Sequence, residues 1–164
     1  MTRGRKGAVL SPAWQGRDVG CGPRDVSLRA LEAELLEAGE DSKQSELART
    51  DMLTLSAASA VAGCSAQTLS RLRRANRVLA LTLRSGRSPG YRYPAFQFEA
   101  AVREQMPQLL DVFGRGRAWQ LYDFLMRAEP LLEGRIPLDL LRCGRAHDIL
   151  RIAKLAATLE HGAH

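Results

Sequence analysis

Between Met52 and Phe98 the chain runs for 47 residues without an aspartate or glutamate while carrying seven arginines. An ordinary solvated surface interleaves both signs. This window therefore demands a fold that presents a one-signed face, with the electrostatic footprint of a module that binds a polyanion. Charge elsewhere is arranged differently: residues 1–26 carry +3, residues 27–51 carry −4, and residues 99–164 balance nine basic against nine acidic side chains. The net +6 of the 164-residue chain thus comes mainly from one segment.

Several classes are excluded at this level. No stretch approaches the roughly 18 apolar residues of a membrane span. The basic start MTRGRK leads into Pro12, Trp14, Gln15 and Arg17 rather than the apolar core of a secretory signal. A cytoplasmic protein with reduced thiols and no membrane contact is expected. Cys21, Cys64 and Cys143 form no CxxC pair, and His147, His161 and His164 crowd the C-terminus, so neither a metal nor a cofactor is expected. No carboxylate pair, Ser/His/Asp set or Cys/His set stands at catalytic spacing, which predicts that the chain is not an enzyme. Asp139 and Asp148 read as helix-start residues or solvated charges.

Punctuation divides the chain into four parts. Residues 1–26, rich in Gly, Pro and Arg, read as a flexible basic arm. Residues 27–51 read as an acidic helix and linker. Ser27 would cap the helix, Leu28, Leu31, Leu35 and Leu36 recur at helical spacing, and Gly39 would end it. GEDSKQSELART would be the linker, with a short helix from Ser45, and the leucine stripe is a candidate dimerisation element. Residues 52–98 hold two helices broken by AGCS, then a β-hairpin over about 78–84 and 91–93 that Pro94 ends. From Phe98 the sequence reads helical, with Gly114, Gly134 and Gly144 as stops. The expected fold class is mainly α with a small β-hairpin: a winged helix-turn-helix followed by a helical domain over 99–164.

The segment LSAASAVAGCSAQTLSRLRRA carries the most chemistry. Gly63 supplies a sharp turn, while Ala58, Ser59 and Ala62 are small enough to sit where two helices cross. Ser65 caps the second helix, and Cys64, Leu69 and Leu72 would fasten it to the first. At about 100° per residue, Leu69 and Leu72 fall on one side and Gln67, Arg71 and Arg74 on the other, with Ser70 beside them and Thr68 on a flank. Such a face suits the major groove, where arginine pairs two donors with guanine and glutamine pairs with adenine. Alternatively, the arginines simply solvate an exposed helix. Arg84, Arg87 and Arg92, at or near the hairpin tip, would hold phosphates as a wing, or the hairpin would merely complete a small core. The order of helix pair, hairpin and RYPAFQF over residues 52–98 resembles the small winged DNA-binding domains of the excisionase and MerR type.

In the C-terminal part, Trp119, Tyr122, Phe124, Leu125, Leu131 and Leu132 would form or border a helical core near Met126. The series Trp119, Phe124-Leu125, Pro130, Leu132, Gly134, Pro137-Leu138-Asp139-Leu140-Leu141, Gly144 and a closing helix from about Arg145 resembles the toxin-binding domain of the Xre/MbcA/ParS antitoxin family. The likeness covers roughly residues 115–160. It implies a helical domain that blocks a RES-type, NAD-degrading toxin and a partner domain that represses the shared operon, usually as a homodimer. Trp119, Leu125, Pro137, Leu138 and Leu141 would then line the partner surface, rimmed by Arg142, Arg145 and Arg151; otherwise those arginines solvate the last helices.

The leading expectation is a DNA-binding antitoxin that binds operator DNA and a toxin protein. An excisionase/MerR-like transcription or recombination regulator, whose C-terminal domain oligomerises, is the alternative. A third reading is a protein-interaction inhibitor whose helix-turn-helix no longer binds DNA.

Overall fold

The computed structural model describes residues 23–83 and 90–159, and the chain divides into two compact units, Met1–Ala38 and Gly39–His164. Residues 1–22 of the expected basic arm, with Trp14 and Cys21, lie outside the described residues, as do Arg84, Arg87, His161 and His164. The arm's last residues, 23–26, are corrected to the start of a helix, so Ser27 lies inside that helix rather than capping it.

Helix α1 spans Pro23–Leu47. Proline suits the first helical turn, where its missing N–H has no intrahelical partner to lose. The expected stop at Gly39 and most of the linker beyond it are corrected: the helix continues through Gly39 to Leu47, and Ser45 lies inside it rather than starting a new one. A glycine inside a helix costs about 1 kcal/mol relative to alanine. The segment after Gly39 offsets this by packing, because Leu47 is buried and Tyr122 donates to the Glu46 carboxylate at 2.7 Å. In the unit ending at Ala38, α1 leaves Leu28, Leu31, Leu35 and Leu36 exposed.

The unit from Gly39 is mainly helical with a small two-stranded antiparallel sheet. Strand β1 (Met52–Leu53) leads into α2 (Leu55–Ala62) and α3 (Ala66–Arg74). Strand β2 (Tyr93–Pro94) returns to pair with β1 in the register Met52↔Pro94 and Leu53↔Tyr93. A 3₁₀ turn over Ala95–Phe98 follows, then α4 (Ala100–Arg103), α5 (Met106–Phe113), α6 (Ala118–Met126), α7 (Pro137–Arg142) and α8 (Ala146–Leu159). The single helix expected from Phe98 is thus a 3₁₀ turn and two short helices.

The hairpin expected over 78–84 and 91–93 is corrected as well. Among the described residues its arms meet in one antiparallel bridge, Leu81 to Arg92, and β2 pairs with β1 instead. The reason lies at Gln97, a buried polar residue. Its Nε2 donates to the carbonyls of Leu79 and Pro94, and its Oε1 accepts from the Leu79 N–H. Leu79 therefore has its backbone satisfied by a side chain and needs no opposing strand.

Two clusters of buried side chains divide this unit. The larger joins Leu47, Met52, Leu79, Leu81 and Leu83 to the inner faces of α4–α8. The smaller is built on Ala58, Leu69 and Tyr93, with Leu53, Cys64, Val78 and Phe98 against it. No helix among the described residues is long and apolar enough to cross a membrane.

Candidate nucleic-acid interface

The α2–α3 corner is fixed by its caps. Thr54 accepts a hydrogen bond from the Ala57 N–H at 3.3 Å and opens α2. Gly63 closes it at φ 64°, a left-handed conformation that residues with a Cβ adopt only under strain. Ser65 Oγ accepts from the Thr68 N–H at 3.1 Å and opens α3. Asn76, at φ 56°, closes α3: Asn76 N–H bonds to Arg73 O and Arg77 N–H to Leu72 O. The Asn76 side chain donates to the Leu110 carbonyl at 3.0 Å and ties the end of α3 to α5.

Where the helices cross, Ala58 is fully buried and Ser59 nearly so, its hydroxyl donating back to the Leu55 carbonyl at 2.7 Å. Leu69 is fully buried beneath α3, whereas Leu72, expected beside it, is exposed. On the far side Gln67, Arg71 and Arg74 are exposed, with Ser70 half-buried. Thr68 is also half-buried, and its hydroxyl hydrogen-bonds to Ser65 at 2.9 Å. Its first duty is therefore the helix start. Among the described residues no carboxylate pairs with Arg71 or Arg74, whereas Arg77 of the same window meets Asp111, from outside it, at 3.2 Å.

Arg73, which the sequence did not single out, stacks its guanidinium on the Tyr91 ring at 3.8 Å. Its neighbour Tyr93 lies in the small core, where burial raises the phenol pKa while Arg73 opposes that rise. Sequence spacing hides this contact because Tyr91 returns from the far side of the loop. Arg92 is half-buried and its backbone forms the bridge to Leu81.

The residues expected to contact a partner protein separate into two sets. Leu125, Pro137, Leu138 and Leu141 are core residues, so they pack α6, α7 and α8 together and offer no surface. Trp119 is half-buried, its Nε1 donating to the Thr82 carbonyl at 3.0 Å and its ring edge-on to Tyr122. Arg142 clamps Glu99 with two bonds of 2.7 and 2.8 Å and reaches Asp139 at 3.3 Å. That clamp holds the Glu99 carboxyl below its usual pKa. Arg145 pairs with Asp148 at 2.6 Å, and Arg151 is exposed. The apolar residues exposed beside the Pro137–Leu141 motif are Leu131 and Ile136.

No protein-family model, curated protein or solved structure matches this chain.

Proposed function

We propose that the chain is a double-stranded-DNA-binding antitoxin that represses its own operon and neutralises a RES-type toxin by protein contact. The observation that carries the reading is the outer face of α3. Gln67, Arg71 and Arg74 stand exposed there, opposite fully buried Leu69, in a window without carboxylates. This supports a recognition helix with bidentate donors for base edges. Arg84, Arg87 and Arg92 complete the proposal as phosphate contacts from the segment that follows α3. The exposed leucines of α1, at positions 28, 31 and 35, follow heptad spacing and support a homodimer. The cytoplasm, where operator DNA resides, is the proposed location.

The toxin half rests on the resemblance around Pro137–Leu141. Because Leu138 and Leu141 are core, the proposed contact surface consists of Leu131, Ile136, Trp119 and Arg151. The same burial favours a second reading, an excisionase/MerR-like regulator, since packing alone explains those motif leucines.

Two measurements test the proposal. Affinity for a duplex from the chain's own promoter should fall steeply with salt, as each phosphate contact releases counterions. A flat salt dependence, or no binding, leaves the protein-interaction inhibitor. The product of the neighbouring gene should halt growth alone and be rescued by co-expression of this chain. A harmless neighbour removes the antitoxin and leaves the regulator.

A further inference from the structure

A cleft of about 590 Å³ opens between the end of α3 and the turn joining α5 to α6. Arg73 and Arg74 reach it from one wall and Arg115 from the other, with Tyr91, Leu110 and Trp119 also in its lining. None of its lining residues is acidic. Several other arginines of this unit differ: Arg77 meets Asp111 at 3.2 Å, Arg142 meets Glu99 and Arg145 meets Asp148. Three arginines therefore line one cleft that has no carboxylate in its lining, an arrangement that favours an anion there.

The walls are set in advance. The Asn76 amide bonds to the Leu110 carbonyl and fixes the end of α3 against α5. The stack on Tyr91 orders Arg73 before any ligand arrives, which lowers the entropy lost on binding. Arg115 sits between Gly114 at φ 79° and Gly116 at φ 85°, so a tight glycine turn presents an exposed cation.

We propose that this cleft is a phosphate-ester site continuous with the reading face of α3, seating a backbone phosphate of the bound DNA. The choice of DNA as the source rests on the DNA-binding reading above. A free nucleotide offers the same chemistry, and the test separates the two.

The chain with Trp14→Phe, which leaves Trp119 as its sole indole, is compared with the same chain carrying Arg115→Gln. Labelled promoter and random duplexes are titrated across salt concentrations, and Trp119 fluorescence is followed with AMP and with inorganic phosphate. Arg115→Gln should weaken both duplexes by a similar factor, about threefold, and lower the salt slope by about one, with an unchanged melting temperature. If AMP quenches Trp119, Arg115→Gln abolishes the quench and duplex binding is unmoved, the phosphate-ester site stands with a free nucleotide as its occupant. If the parent binds no duplex but AMP still quenches in an Arg115-dependent way, the DNA reading fails and the site stands. If duplex binding is lost on Arg71→Ala while Arg115→Gln changes neither duplex nor AMP binding, the site is overturned and the DNA reading survives. Binding of neither duplex nor AMP overturns both.

Discussion

The side-chain amide of Gln97 stands in for a β-strand beside Leu79, accepting from its N–H at 2.8 Å and donating to its carbonyl at 3.0 Å. Both partners are buried. Gln97→Met keeps the volume and removes the hydrogen bonds, leaving a buried donor and acceptor unmatched. The expected loss is about 2–4 kcal/mol, read from urea unfolding. A loss under about 0.5 kcal/mol would mean that solvent replaces the amide.

Tyr122 joins α6 to the last turn of α1 through Glu46. Burial first, and then the Glu46 carboxylate, push the phenol well above its ordinary pKa. The folded state thus holds the proton more tightly than the unfolded chain. The resulting stability is complete below about pH 10, the unfolded value, and declines as pH rises beyond it. Tyr122→Phe should cost about 1 kcal/mol at neutral pH and flatten the alkaline decline. An equally steep decline in the variant would assign the effect to other groups.

The Glu99–Arg142 clamp acts at the acid end. Arg142 depresses the Glu99 pKa, so its stabilisation is present above the unfolded value near 4.3 and is lost as pH falls through the lower folded value. Both side chains are more than two-fifths exposed, so solvent screening keeps the contribution small. Glu99→Gln should melt below the parent at pH 6 and close to it at pH 3. A gap that persists at pH 3 would point to packing rather than charge.

On the DNA-binding reading, Arg71→Ala should cost about 1–3 kcal/mol on the promoter duplex and relax its sequence preference. Equal losses on promoter and random duplexes would make Arg71 a phosphate contact.

The proposed homodimer has its own check. Replacing Leu31 and Leu35 by glutamate adds charge to an already acidic stretch and should leave a monomer in sedimentation velocity. A dimer that survives this double change would place the self-contact elsewhere in the chain.

The corner around Gly63 was legible because its parts are local: Ser65 caps within three residues, and Gly63 turns where only glycine turns cheaply. The outward face of Gln67, Arg71 and Arg74 follows from helical period alone. Long-range compensation was not legible. Gly39 reads as a stop until Leu47 and Glu46 find partners far along the chain. Residues 78–83 have strand composition, yet Gln97 replaces the ladder at Leu79 from 18 residues away. Leucines at 138 and 141 have the same spacing whether they face a partner or a core, and only the packing of α7 against α6 and α8 decides.

The pairing of Met52 with Pro94 and Leu53 with Tyr93 has a mechanical consequence. β1 enters and β2 leaves the segment that holds α2 and α3, so the chain is cinched around the helix pair like a drawstring. Neither helix can peel away without slackening the knot under it, where Tyr93 sits against Leu69 and Ala58. Amide exchange in α2 and α3 should therefore quicken in step, as one cooperative unit, rather than helix by helix.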